Sequence, residues 1–208
     1  MTVFGNSLRD AQRHYLHRVK PQAHVLVIGG GSGWFLERLL EETSCARVDA
    51  LDISAAMLSR SEERIRRNAP DALARVRFLE GGVDLIPEGA KYDVVCTHFF
   101  LDLFRDERLR TVVPRVSAHL AEGGVWHDTD FQTAPGKMRG AYSRVLLSLM
   151  YTFFRASCSI EADRLPGFDA AFAHAGMETT ESALFHGGMV RARLLRPVEG
   201  VLGRPSNA

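Results

Sequence analysis

The stretch VLVIGGGSGWFLERLL, residues 25–40, decides how this chain folds. Four apolar residues, Val25 to Ile28, form a buried strand, three glycines of the pattern GxGxG follow, and an apolar-periodic helix opens near Gly33. Glycine tolerates positive φ and lets a ligand approach the backbone without meeting a Cβ, and a helix start offers free N–H groups. Downstream, VDALDIS (residues 48–54) ends a second strand on Asp52. A carboxylate there can accept hydrogen bonds from both hydroxyls of a ribose, so the turn and the acid together predict a ribose-bearing cofactor. Asp52 can also simply cap the helix that follows. Ile53 and Met57 would lay apolar surface beside an adenine.

The glycine spacing discriminates among cofactors. A dinucleotide fingerprint places a further glycine three residues after Gly31, where this chain has Trp34. A phosphate loop is excluded because no Gly-Lys-Ser/Thr follows. The pattern favours a cofactor with ribose but no phosphate and disfavours an NAD-dependent oxidoreductase.

Outward from this unit, strands alternate with helices. The pattern predicts a helix over about Ser7–Lys20, a strand at Arg47–Leu51, a helix at Ser54–Asn68, strands at Val76–Leu79 and Tyr92–Cys96, and a helix at Glu107–Leu120 stopped by Gly123-Gly124. Another strand begins at Val125–His127. After Phe131 the rhythm breaks. An apolar helix is expected over Ala141–Ala156, a short one over Phe168–Ala175, and two strands, Glu178–Leu184 and Met189–Leu195, joined by a short antiparallel connection. The fold class is therefore α/β: a single doubly wound, mostly parallel seven-stranded sheet with a C-terminal antiparallel hairpin. One domain over residues 1–208 is expected, with an N-terminal helix (1–21) and a helical insert or lid (132–176).

Composition agrees with a globule. The 208 residues are 46% hydrophobic and 25% charged, enough for one sizeable core. A net charge of +1 leaves no electrostatic footprint for nucleic acid. The three cysteines are dispersed, with neither zinc nor disulfide spacing, and no ligand pair has metal spacing. There is no signal-like N-terminus and no run of roughly 20 apolar residues for a membrane span. The expectation is a soluble cytoplasmic protein.

In order along the chain, these motifs resemble those of the class I S-adenosylmethionine-dependent methyltransferases. VLVIGGGSG is similar to the family's first motif and ALDIS to its second, with the ribose-binding acid at Asp52. RVRFLEGGVDL (75–85) resembles the third, YDVVCTHFFLDLF (92–104) the fourth, and LAEGGVWHDTDF (120–131) the strand after the family's L-x-x-G-G turn. Two positions depart. Val27 stands where the family often has an acid, and Gly82 where the third motif usually has Asp, leaving adenine recognition to the Val83 backbone or to Asp84.

The resemblance implies S-adenosyl-L-methionine held by Gly29, Gly31, Gly33, Asp52, Ile53, Met57, Gly82, Val83, Thr97, His98 and Phe99, and methyl transfer to a small-molecule acceptor. His98, after the fourth strand, is the candidate base, and its alternative is a residue of the cofactor edge. His127, Asp128 and Asp130 are expected at the next strand tip, where Asp128 and Asp130 either orient a substrate or simply face solvent. The Ala141–Ala156 helix reads either as core or homodimer interface, or as a lid in which Tyr142, Tyr151 and Arg155 line an apolar acceptor pocket. A non-catalytic binding or assembly module on the same fold is the alternative function.

Overall fold

The computed structural model describes residues 6–133 and 165–198. Helix α1 spans Ser7–Arg13 and is followed by β1 (His24–Ile28), α2 (Trp34–Glu42), β2 (Arg47–Asp52), α3 (Ala55–Asn68) and β3 (Val76–Glu80). Then come β4 (Tyr92–His98), α4 (Asp106–Ser117), β5 (Leu120–Phe131), α5 (Phe168–His174), β6 (Met177–Phe185) and β7 (Val190–Pro197). The seven strands form one sheet in the order β3-β2-β1-β4-β5-β7-β6. Pairing is parallel from β3 through β5, and β7 runs antiparallel to both β5 and β6. This is the seven-stranded mixed α/β sheet expected from the alternating pattern.

Alternation along β1 explains why both faces are covered. Val25 and Val27 pack with Val48, Ala50 and Cys96 beneath α2 and α3, through Phe35, Leu36, Leu39, Leu40 and Ile65. Leu26 and Ile28 point the other way, onto Val95 and Trp126 and the α4 residues Leu109, Val112, Val113 and Val116. Strands buried on both faces read as continuous apolar runs, which is why Val25–Ile28 carries no polar residue. Because β1 pairs with both β2 and β4, the chain reverses its direction of winding between them. In such sheets ligands bind outside the carboxyl ends of the strands at that switch.

Three boundaries differ from the sequence expectation for identifiable reasons. Helix α1 ends at Arg13 rather than Lys20. The His14 carbonyl is taken by the His17 ring (2.9 Å) and Arg18 N–H turns to Tyr15 O (2.9 Å), so the chain tightens into a 3₁₀ turn at Leu16–Arg18. Helix α4 stops at Ser117, short of the glycine pair. Gly123 and Gly124 instead lie inside β5, where a Cβ on Gly124 would stand 2.9 Å from Ala121 O and 3.0 Å from Tyr92 O. The register beside them shifts between Tyr92 and Val94, as expected of an irregular, glycine-bearing strand segment. Finally, β5 runs to Phe131, so His127 and Asp128 sit within the strand and not at its tip.

Candidate active site

The turn after β1 curls over the carboxyl edge of the sheet with Gly29, Gly31 and Gly33 all at positive φ (68°, 54° and 81°). They serve different ends. At Gly33 the N-terminus of α2 packs so closely on α3 that a Cβ would lie 2.3 Å from Ser61 Oγ and 2.8 Å from its Cα, and at Gly29 a Cβ would meet the Phe100 ring at 2.8 Å. At Gly31 a Cβ would meet nothing within 4 Å. The first two keep elements in close contact, and the third faces open space.

Asp52 closes the other side of the crevice. One carboxylate oxygen accepts from Ser54 N–H (2.9 Å) and the other from Gly31 N–H (3.3 Å). The helix cap is Ser54 itself, whose hydroxyl accepts from Met57 N–H (3.3 Å). Asp52 therefore ties the β2 end to the glycine turn, and each oxygen keeps acceptor capacity for a diol, since an ionised carboxylate offers about four lone-pair sites.

Two cavities adjoin here. One, about 390 Å³, is lined by Gly29, Asp52, Ile53, Gly82, Val83, Phe99, Phe100 and residues of α4 including Arg108. The second, about 310 Å³, is lined by Gln12, Val27, the glycine turn through Ser32, Trp34, Phe35, His98 and Phe99. Both share Ile28, Gly29 and Phe99, and each lies in the roughly 300–1,000 Å³ range of small-ligand pockets. Phe99 divides them. Its φ is +54°, rare for a non-glycine residue, and it is held by its N–H on Thr129 O (2.7 Å) and by its ring against Phe131 (centroids 4.9 Å apart). Strained backbone of this kind collects at ligand sites.

His98 is 8% exposed, its ring edge-on to Phe35 at 4.2 Å, and neither ring nitrogen has a hydrogen-bond partner among the described residues. Burial, with a smaller contribution from the charge of His127, pulls its pKa down to about 3, so it is a neutral imidazole at ordinary pH.

Of the residues singled out in the sequence, Gly29, Asp52, Ile53, Gly82 and Val83 come together in the first cavity, Gly29, Gly31 and His98 in the second, with Phe99 in both. Gly33 and Met57 line neither. Thr97 is not brought to the crevice: it is buried, donating to Asp128 (2.9 Å) and accepting from the Trp126 indole (2.8 Å). Asp128 is fully buried, bound by Arg193 Nε at 2.9 Å and by a second guanidinium nitrogen. It belongs to this internal network rather than to a substrate surface. Arg193 is in turn roofed by Phe168 and Phe172 of α5 (4.9 and 5.1 Å). Tyr142, Tyr151 and Arg155 lie outside the described residues.

Sequence reasoning missed Gln12, Phe100 and Arg108. Gln12 and Arg108 come from helices remote along the chain, and no local pattern marks them. The Phe99-Phe100 pair was a usable signal, since two aromatics directly after a core strand have no second core face to fill.

Comparison with known proteins fits this geometry. Residues 26–126 match the family described as a methyltransferase domain. That match, together with the solved structures named below, shows the fold of the class I S-adenosylmethionine-dependent methyltransferases. It is 27% identical over 88 residues to malonyl-[acyl-carrier protein] O-methyltransferase 1 of Ilyobacter polytropus, covering 42% of this chain and 31% of that protein. Among solved structures, mitomycin 7-O-methyltransferase MmcR superposes with a TM-score of 0.70 at 17% identity, covering 92% of this chain and 54% of that one. DhpI, solved as a complex with SAH, gives 0.66 at 19% identity and covers 93% and 86%. The chain thus spans about half the length of the MmcR chain and about a third of the Ilyobacter enzyme. Among the described residues no helix is long and apolar enough to cross a membrane.

Proposed function

We propose that this protein binds S-adenosylmethionine and transfers its methyl group to a small, partly apolar acceptor by direct in-line displacement. The observation that carries this reading is the pair of cavities meeting at Gly29 and Phe99, with the Asp52 carboxylate in the outer one and the unpartnered His98 imidazole in the inner one. The residues fit the cofactor. Asp52 has acceptor sites left for both ribose hydroxyls, Ile53 (81% exposed) and Val83 offer apolar surface for an adenine, and the open space over Gly31 admits the link to the amino-acid end.

Bound at these residues, S-adenosylmethionine would supply an already electrophilic methyl carbon, whose bonding pair would return to sulfur as the acceptor's lone pair forms the new bond. The chain's contribution is to hold acceptor and methyl in line, and positioning alone can supply roughly 7–11 kcal/mol. Phe99, fixed between the cavities, is placed to exclude water from that line. An acceptor hydroxyl would pass its proton to solvent, since burial holds the pKa of His98 down at about 3 and makes it a poor base. The methyltransferase relatives named above act on unlike acceptors, so their names do not choose one for this chain. The lid role for residues 132–176, a homodimer and a cytoplasmic location belong to this proposal as well.

Isothermal calorimetry with S-adenosylhomocysteine tests it. Micromolar binding, lost or strongly weakened in Asp52→Ala, is the expected result. No binding by the folded wild-type chain would overturn the reading and leave a non-catalytic module on the same fold.

A further inference from the structure

We propose that a third cavity, about 200 Å³ between the end of β5, the start of β7 and α5, anchors a carboxylate on the methyl acceptor, with Arg191 as the cation that receives it. The proposal rests on the methyl-transfer reading above and deepens it by naming a substrate class. Phe131, Gln132, Phe168, Asp169, Arg191 and Arg193 line the space. It lies at the carboxyl edge of the parallel strands, because Phe131 pairs with Val190 and Asp130 with Arg191. Its volume suits a terminal group rather than a whole small ligand.

Arg193 forms the fixed wall. Its Nε and a second guanidinium nitrogen hold the buried Asp128, and the Phe168 and Phe172 rings lie 4.9 and 5.1 Å from its guanidinium carbon. The remaining nitrogen, Nη1, donates to Asp169 at 3.3 Å. Arg191, two residues earlier on the same face of β7, makes its side-chain hydrogen bonds among the described residues to Asp169 alone, with Nη1 at 3.3 Å from each carboxylate oxygen. All three contacts are longer than the roughly 2.7–2.9 Å of a charge-assisted hydrogen bond, and the Asp169 side chain is 72% exposed. An ion pair so open to water contributes little. Asp169 thus marks where a carboxylate meets both arginines, without the burial that would hold it there.

The charges leave a place for one external anion. Asp128 balances Arg193. When Asp169 turns out to solvent, Arg191 becomes the unbalanced cation over the cavity, and its side chain is only 25% exposed. A carboxylate entering there is better shielded from water than Asp169 is, so its attraction to Arg191 is screened less. The cavity also leads toward the chemistry. Phe131 lines it, and the Phe131 ring stands 4.9 Å from that of Phe99, which divides the two cavities described above. An acceptor anchored by its carboxylate would lay an apolar body across Phe131 toward Phe99.

The test compares benzoate with neutral benzamide in NMR titrations of the protein in excess S-adenosylhomocysteine. Wild-type protein should hold benzoate at least about 10-fold tighter, the lower end of a hydrogen bond to a charged group. Arg191→Met should bring the ratio to about 1, and Arg191→Lys should keep part of it. Asp169→Ala should tighten benzoate by about 2- to 5-fold, the worth of the exposed ion pair it no longer has to displace, and leave benzamide unchanged. Arg193 stays in place, since its loss would strand Asp128. Affinity for S-adenosylhomocysteine should be the same in all three variants, which also shows that they are folded. No preference for benzoate in wild type, a preference that survives Arg191→Met, or no gain in Asp169→Ala would overturn the subsite while leaving the cofactor reading standing. Failure of S-adenosylhomocysteine to bind wild-type protein would remove the cofactor reading, and with it the assignment of this carboxylate to a methyl acceptor.

Discussion

The carboxylate of Asp52 at the end of β2 reaches across to the backbone N–H of Gly31 in the turn after β1, at 3.3 Å, while its other oxygen holds Ser54 N–H at 2.9 Å. One side chain thus shapes the crevice and presents its remaining lone pairs to it. Asp52→Ala should weaken S-adenosylhomocysteine binding by at least about 10-fold, since each hydrogen bond to the charged group contributes about 1.5–3 kcal/mol. Asp52→Asn keeps an acceptor oxygen and should lose less. Titration calorimetry of the two variants at equal salt decides it, and equal affinity for wild type and Asp52→Ala would remove Asp52 from the site.

Gly33 has no room for a side chain. Gly33→Ala should destabilise the fold by at least about 1–3 kcal/mol from the left-handed backbone alone, with the contact to the Ser61 backbone at 2.8 Å adding to it. Gly31→Ala, with open space around its Cβ, should show only the backbone part. Urea unfolding separates them, and equal losses at the two positions would refute the distinction.

Arg193 and Asp128 are 3% and 0% exposed and bind each other directly. Arg193→Ala should cost about 3–5 kcal/mol because it leaves a buried carboxylate without its cation. The double variant Arg193→Met with Asp128→Leu should regain much of that. Thermal unfolding checks both, and a single variant as stable as wild type would contradict the pairing.

Acid should unfold the protein early. His98 and His127 are buried and pulled down to about 3 by that burial, whereas in the unfolded chain each takes a proton near pH 6.5. Between those values the unfolded state binds more protons, so stability should rise with pH up to about 6.5 and flatten above it. Each ring contributes a slope of at most about 1.4 kcal/mol per pH unit. Chemical unfolding from pH 4 to 8 measures it, and a flat profile between pH 6 and 4.5 would contradict both burials.

Asp130 works in the opposite sense. Burial and the nearby carboxyls of Asp102 and Asp128 push its pKa well above the usual carboxylate range, so its contribution to stability is present at low pH and lost as pH rises through the folded value. Asp130→Asn preserves the acceptor for Leu101 N–H (3.1 Å) and removes the charge. The melting temperature should rise at pH 8, by about 2–4 °C for each 1 kcal/mol regained, with little change at pH 4.

The sheet was legible in the sequence because strands buried on both faces leave uninterrupted apolar runs, as Val25–Ile28 does, and because glycine, proline and acidic residues mark their ends. Asp52 was legible for the same local reason: it closes one such run and follows the glycine turn. Asp128 was not. Its fate is set by Arg193, 65 residues away in sequence, and no local pattern announces a charge partner on a strand inserted from the far end of the chain. Gln12 was hidden likewise, since only the packing of α1 over the turn brings it to the cavity. Gly123-Gly124 signalled a break correctly, but the close approach of Tyr92 O to Gly124 and the positive φ of Gly123 (69°), rather than helix termination, are what call for glycine there.

The position of β7 has a consequence for synthesis on the ribosome. β6 emerges first, yet it reaches the sheet only through β7, which lies between it and β5. Until residues near 193 have left the exit tunnel, β5 is therefore a bare edge carrying a carboxylate with no cation to meet it. The sheet cannot be completed until β7 arrives to bridge β5 and β6. During that interval the unfinished edge is the surface on which a chaperone or a misplaced strand would act.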